Sequence, residues 1–348
     1  MALAAAFEKY TLRFRFDAGT SRGVLRLRDT YFLKIWDGQK PEFKGVGEAG
    51  PLPGLSPDYA VVEQELKRLC DQLPDYEVPT TNKSVNDLLD LVPSTAPSVR
   101  FALELALKDL INGGRGLLYQ GPFTNGTYTV PINGLVWMGS FQFMKDQVDQ
   151  KIKDGYRCIK VKIGAIDFDK ECGLLKYIRE TYGTRISIRA DANGAFGKGD
   201  VFKKLERLAE FSLHSLEQPV KPGQIDLMKG LCTFQSVPIA LDEELIGHNS
   251  LPEQQAILDS ISPRFIVLKP TLVGGLAATE RWIRLAEERG IGWWITSALE
   301  SNVGLNGLAQ FTAGFSPSLP QGLGTGLLFH NNTASKLSIR NGRLHYHP

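Results

Sequence analysis

The stretch "CIKVKIG", Cys158–Gly164, holds two lysines two residues apart inside an apolar run of Ile159, Val161 and Ile163. In a β-strand residues i and i+2 share a face, so Lys160 and Lys162 project side by side among residues that favour burial. Ionisable residues close four later apolar runs: Asp191 after "ISIRA", Glu217 after "LHSL", Asp242 after "PIAL" and Lys269 after "FIVL". Burying unpaired charge is expensive, so groups of both signs converging on one place must neutralise one another or bind something. Three neighbouring carboxylates repel each other, and a divalent cation resolves this. All-oxygen ligation favours Mg2+ over zinc, with Mn2+ as a substitute. Two lysines flanking the acids suit removal of a proton α to a substrate carboxylate, the cation taking the developing charge and an amine the proton.

A lysine base works near neutral pH only when its pKa falls well below the ordinary ~10.4. A second ammonium on the same strand face raises the cost of protonating the first. Lys160 therefore reads as the group that tunes Lys162, and Lys162, nearer the strand end, as the base. Glu243, beside Asp242, either supports the metal site or faces a helix. His214, His248, His330, His345 and His347 stand outside this pattern and read as structural or exposed.

Such groups need a scaffold that repeats. From Lys162 to Asp191 is 29 residues, and the following steps to Glu217, Asp242, Lys269 and Thr296 are 26, 25, 27 and 27. Each accommodates one strand, one helix and two short loops. Adding Ile132 before and Gly322 after makes eight strands, which predicts a (β/α)8 barrel with its site at the C-terminal strand ends. A doubly wound sheet is the alternative, but no GxGxxG follows the first strand. Before about residue 125 the rhythm differs. "YTLRFRF", "GVLRLRDTYFLKIWDG" and "FKGVGEAG" alternate as strands, then "SPDYAVVEQELKRLCDQL", opening on a Ser/Asp cap, and "SVRFALELALKDLINGG" read as helices. The division expected is an α+β domain over 1–125 and a barrel over 126–326, with 327–348, including a strand pair in "SKLSIRNGRLHYH", returning to the first domain.

Composition narrows the partners. The 348 residues are 43% hydrophobic and 22% charged, with 40 basic against 38 acidic side chains, a net charge of +2. That balance gives no reason to expect nucleic acid or a membrane surface as partner. Arg13, Arg15, Arg22, Arg26 and Arg28 cluster at strand-like alternation and read as a solvated sheet face. Cys70, Cys158, Cys172 and Cys232 form no CxxC pair, so a reducing cytoplasm is the simplest setting. "MALAAAF" lacks the basic flank of a signal peptide, and no run approaches the ~18 apolar residues of a membrane span.

The ordered set "KVK", "DANG", "LEQP", "LDEE" and "LKPTLVGG" resembles the enolase superfamily, in its muconate-lactonizing subgroup, over nearly the whole chain. The resemblance implies an α/β fold, a modified TIM barrel (β/α)7β under an α+β capping domain. It also implies that Asp191, Glu217 and Asp242 bind Mg2+ and that Lys162 and Lys269 flank a small-molecule carboxylate substrate. "ITSALESNVGLNGLAQ", "PQGLGTGLLF", "AGTSRGVL" and "GEAGPLPGLSPD" are similar to the o-succinylbenzoate synthases of menaquinone biosynthesis. These are lyases that dehydrate 2-succinyl-6-hydroxy-2,4-cyclohexadiene-1-carboxylate to 2-succinylbenzoate. A dipeptide epimerase would carry Asp-x-Asp at the last strand, where this chain has "QGLGTG". An N-succinylamino acid racemase, whose amine is acylated, stays open as the alternative. Glycine-rich loops 17–23 and 50–55 are suited to act as lids. Arg22 is expected to meet the succinyl carboxylate, and Ser297, Leu299 and Ser301 to line the pocket near the succinyl tail. Oligomeric state is left open.

Overall fold

The computed structural model describes residues 2–20, 23–164 and 166–348. Strands β1 (Leu3–Thr20), β2 (Gly23–Asp37) and β3 (Lys40–Ala49) form an antiparallel sheet in that order. Alternation sets its faces: Leu12 and Phe14 are buried, while Arg13 and Arg15 face solvent. Helices α1 (Val62–Gln72), α2 (Asn82–Leu89) and α3 (Pro97–Ile111) cover the apolar face. Two glycines allow α3 to lie directly on β3. A Cβ at Gly45 would stand 1.9 Å from the Ala106 carbonyl oxygen, and one at Gly47 1.9 Å from that of Ala102.

Three local expectations are corrected here. The helix expected to open at the Ser/Asp pair begins at Val62, because those side chains are engaged elsewhere: Ser56 Oγ accepts from the Leu52 amide, and Asp58 accepts from the Ser98 amide and hydroxyl. Helix α2 was not expected. Its capping box pairs Thr81 with Ser84, not with the Glu or Gln that makes the motif readable. Of the arginines read as a solvated face, Arg13, Arg15 and Arg26 are exposed, but Arg28 is buried. Arg22 lies outside the described residues.

The second part is a curled parallel sheet. After the short β4 (Val130–Pro131), strands β5 (Gly134–Val136), β6 (Cys158–Lys162), β7 (Ser187–Asp191), β8 (Ser215–Glu217), β9 (Ile239–Leu241), β10 (Phe265–Leu268) and β11 (Gly292–Ile295) pair in sequence order. The eighth position is reduced to single residue pairs. Gly322 bridges Thr296 on one side, and Gln321 bridges Ile132 on the other, closing the ring. Helices α4 (Phe141–Lys153), α5 (Phe168–Tyr182), α6 (Val201–Ala209), α7 (Ile225–Cys232), α8 (Leu251–Ile261), α9 (Pro270–Val273), α10 (Gly275–Glu288) and α11 (Asn302–Ala313) fill the connections. Outward strand residues such as Ile159, Ile188, Leu216 and Ile266 belong to the largest apolar core.

Inside the ring, Ala240, Val267 and Trp294 pack together, with the Arg189 guanidinium 3.7 Å from the Trp294 ring centre. Two residues further along these strands stand Asp242, Lys269, Thr296 and Asp191. Period two thus carries the barrel's interior directly into its polar end. The terminal segment divides. Residues 328–331 run against β1, with the Arg15 amide donating to Leu328 and the His330 amide to Arg13. The hairpin β12 (Leu337–Arg340) and β13 (Arg343–Tyr346) instead pairs with β4. Among the described residues no helix is long and apolar enough to cross a membrane.

Candidate active site

The register of the parallel strands sets Lys162 beside Asp191 and Asp191 beside Glu217. All three are buried, as are Lys160 and Asp242. The Lys160 ammonium lies 2.6 and 2.7 Å from the two Glu217 oxygens and 2.9 Å from Asp191 Oδ2. Lys162 Nζ reaches the same Asp191 oxygen at 3.3 Å and donates to Asn193 Oδ1 at 2.8 Å. Across the ring, Lys269 donates to Asp242. The five strand-end groups and Lys160 therefore form one buried cluster of three amines and three carboxylates.

Their protonation is unequal. Burial depresses the Lys162 pKa below its usual value, and the ammonium groups of Lys160 and Lys269 add to this against the pull of Asp191. For Lys160 burial acts the same way, but Asp191, Glu217 and Asp242 outweigh it and hold its pKa well above normal. Lys269 is likewise raised, Asp242, Glu243 and Glu217 overcoming burial. Burial, then Asp191 and Asp242, push the Glu217 carboxyl up to about 8 against the Lys160 ammonium. Asp191 is held far below the carboxylate range, its three lysine neighbours exceeding the burial cost.

Two residues missed from sequence brace these ends. Asn193 (φ 44°) accepts from Lys162 and donates to Glu243 Oε1 at 3.1 Å. Gln218 (φ 39°) accepts from the amides of Asp242 and Glu244 and donates to Glu244, tying β8 to the turn after β9. Glu243 thus contacts the Asn193 amide and acts electrostatically on Lys269. The signal was present in "DANG" and "LEQP": an amide one or two residues after a buried acid, at a strand end.

A cavity of about 240 Å3 opens above Lys160, Lys162, Asp191 and Lys269. Its walls include Val24, Leu25, Leu52, Leu55, Leu135 and Trp137, so the tip of the β1–β2 hairpin and the segment after β3 both face it. Ser297 and Leu299 line it. Ser301 does not. It caps α11, accepting from the Val303 amide, and its own amide and hydroxyl donate to Glu48 at 2.9 and 2.6 Å. A buried carboxylate at that helix start leaves Ser301 no face toward the cavity.

Leu299 has φ 66°, a left-handed conformation unfavourable for a side chain of this size. Two contacts hold it there: its amide donates to Ser297 Oγ, and Arg28 donates to its carbonyl. Arg28 also donates to the Gly50 carbonyl at 2.6 Å and lies 3.9 Å from Glu48. Glu300, its carboxyl raised by burial, accepts from Ser297 and Thr271. Nothing in the arginine-rich alternation distinguished Arg28 from its exposed neighbours.

Asp191, Glu217 and Asp242 supply hard oxygen donors, the type that holds Mg2+ or Mn2+. As they stand, no three acidic, histidine or cysteine side chains among the described residues converge tightly enough to grip an ion. The Lys160 and Lys269 ammonium groups sit against the three carboxylates as monovalent stand-ins. The donor set therefore fits a hard dication by its chemistry. Three amines and three acids also leave the cluster formally neutral, so a dication and a dianionic substrate would balance each other on arrival.

A two-part molecule with acids and lysines at the ends of successive barrel strands defines the enolase class, and the chain belongs to the enolase superfamily: residues 143–347 match the family described as enolase C-terminal domain-like. Over 97% of its length the chain is 43% identical to an o-succinylbenzoate synthase from Desulfotalea psychrophila, 98% of which is covered. The crystal structure of MenC from Desulfotalea psychrophila superposes with a TM-score of 0.88 at 39% identity, covering 99% of this chain and 100% of that one. The muconate lactonizing enzyme from Pseudomonas putida shares the fold, with a TM-score of 0.82 at 19% identity over 99% and 94% of the two chains.

Proposed function

We propose that this chain is a lyase of the o-succinylbenzoate synthase type, acting in the cytoplasm in menaquinone biosynthesis. It dehydrates 2-succinyl-6-hydroxy-2,4-cyclohexadiene-1-carboxylate, a small dicarboxylate, to 2-succinylbenzoate, with neither nucleic acid nor membrane as partner. The division of labour follows a cap of residues 1–125, along whose β1 residues 328–331 run, and a barrel of residues 126–326, whose β4 takes the terminal hairpin.

The observation that carries the reading is the inequality among the lysines. Of the three lysines in the cluster Lys162 is depressed, while Lys160 and Lys269 are held charged. That gives one base among fixed cations, beside a cavity with largely apolar walls. Asp191, Glu217 and Asp242 are assigned the metal; Mg2+, or Mn2+, supplies positive charge against the charge developing on the substrate carboxylate. Lys162 takes the proton α to that carboxylate. The electron pair left behind expels the ring hydroxyl, to which Lys162 returns its proton on the same face, so that water leaves and the ring becomes aromatic. Lys269 stays protonated and stabilises the developing charge from the other side. Lys160 keeps Lys162 poised and neutralises Glu217.

The test follows 2-succinylbenzoate formation by absorbance with purified protein. EDTA is expected to abolish turnover, and Mg2+ or Mn2+ to restore it. Full activity in a verified metal-free sample, or no product with metal present, overturns the assignment.

A further inference from the structure

Among the described residues, five amide and hydroxyl side chains line the cavity: Asn133, Asn193, Thr296, Ser297 and Thr325. Three are occupied. Asn193 bonds Lys162 and Glu243, Thr296 donates to the Gly322 carbonyl, and Ser297 donates to Glu300. The remaining two differ. Among the described residues, Asn133 Oδ1 and Thr325 Oγ1 are buried with no hydrogen-bond partner, in residues 4% and 6% exposed. A buried polar atom without a partner costs stability, and a binding site is one place where such a cost is tolerated.

Both stand where the barrel closes. Ile132 bridges Gln321, and the Asn133 amide donates to the Gln321 carbonyl at 2.9 Å. A Cβ at Gly324 would lie 3.6 Å from the Asn133 carbonyl oxygen, which brings the segment carrying Thr325 alongside. This seam carries none of the reacting amines and acids. An amide can be turned end for end without change of shape, and a hydroxyl rotates, so each residue can present a donor. The same two residues also line an adjoining outer groove, whose ionisable lining residues include Lys151, Lys153 and Arg340 against Asp154. Two neutral donors backed by an excess of positive charge suit an anionic oxygen.

We infer that Asn133 and Thr325 form the subsite for the terminal carboxylate of the substrate's succinyl tail, remote from the reacting carbon. This rests on the dehydration reading above. The serine and leucine at 297 and 299 then shape the tail's path, and the seam reads its end.

The experiment compares the inhibition constants of 2-succinylbenzoate and 2-acetylbenzoate, which keeps the ring carboxylate and ketone but lacks the terminal carboxylate. Wild type is expected to prefer the succinyl compound. Thr325→Val, which keeps shape and removes the donor, lowers that preference about 3- to 10-fold, while Thr325→Ser retains it. Asn133→Leu does the same, and Asn133→Asp, which sets a carboxylate against the tail, lowers it further. An unchanged preference in Thr325→Val and Asn133→Asp, where wild type binds 2-succinylbenzoate and forms it, removes the subsite and leaves the dehydration intact. Wild type that neither forms nor binds 2-succinylbenzoate removes both. Should Asn133→Leu fail to fold, Thr325→Val and Asn133→Asp decide the matter.

Discussion

Lys162 and Lys269 are assigned different tasks, and arginine separates them. Its guanidinium keeps a cation but cannot accept a proton near neutral pH. Lys269→Arg should retain measurable dehydration, reduced by misfit, whereas Lys162→Arg should be inactive. Racemisation of an N-succinyl amino acid needs proton transfer on both faces, so Lys269→Arg should lose any such side activity. Measuring both reactions on both variants decides it, and dehydration surviving only in Lys162→Arg would reverse the two roles. Lys160 is tested by pH. Burial depresses Lys162 and the Lys160 ammonium adds to that. Removing the ammonium in Lys160→Ala lets the base's pKa rise, so the ascending limb of the kcat/KM profile should move to higher pH. A lowered rate with an unmoved limb would assign Lys160 to positioning alone. The strand-end charges were legible because period two and even spacing are properties of the chain itself. Arg28, Asn133 and Thr325 were not, because their burial depends on what other segments bring to them.

Between elements, the join of β2 and β3 to the loop before α11 concentrates buried charge. Arg28, Glu48 and Glu300 are all nearly inaccessible. Arg28→Met would leave two carboxylates without their cation and free the Leu299 carbonyl, a loss of about 3–5 kcal/mol in urea unfolding. Arg28→Lys should restore only part, since one ammonium does not reproduce a planar fork donating to the Leu299 and Gly50 carbonyls. Equal stability of Arg28→Met and wild type would show that the join holds by apolar packing. Among the elements themselves, long alternating or amphipathic runs were readable. The helix at Asn82–Leu89 was missed because its eight residues carry a weak cap signal, and the start at Val62 was misplaced because Ser56 and Asp58 serve tertiary bonds.

For the molecule as a whole, acid stability has an identifiable contributor far from the chemistry. His214 stacks on Phe265 with ring centres 4.7 Å apart, and burial, with Arg189 nearby, lowers its pKa from 6.5 to about 4. The folded state thus requires the neutral ring. The stabilisation is complete above about pH 6.5 and is lost as pH falls toward 4, where only the unfolded chain takes up the proton. Between pH 7 and 5 this costs about 1–2 kcal/mol, allowing for partial exposure of the ring. Stability curves for His214→Phe should fall by that much less over the interval, and parallel curves would acquit the histidine. The barrel was legible from five near-equal steps along the chain. The division of the terminal segment between β1 and β4 was not, because a short alternating hairpin matches any open edge equally well.

The contacts of Arg28 and Glu48 reach further than stability. Leu299 lines the cavity from a left-handed turn that Arg28 and Ser297 hold, and α11 starts where Glu48 receives Ser301. One wall of the pocket is therefore written in two distant stretches of the gene. A hybrid that joined the first 125 residues of one relative to the barrel of another would inherit half of that wall's instructions. Its selectivity should follow neither parent unless positions 28 and 48 travel together with 299–301. Recombination that respects the visible boundary between the two parts would, for this family member, cut through the unit on which selection for substrate acts.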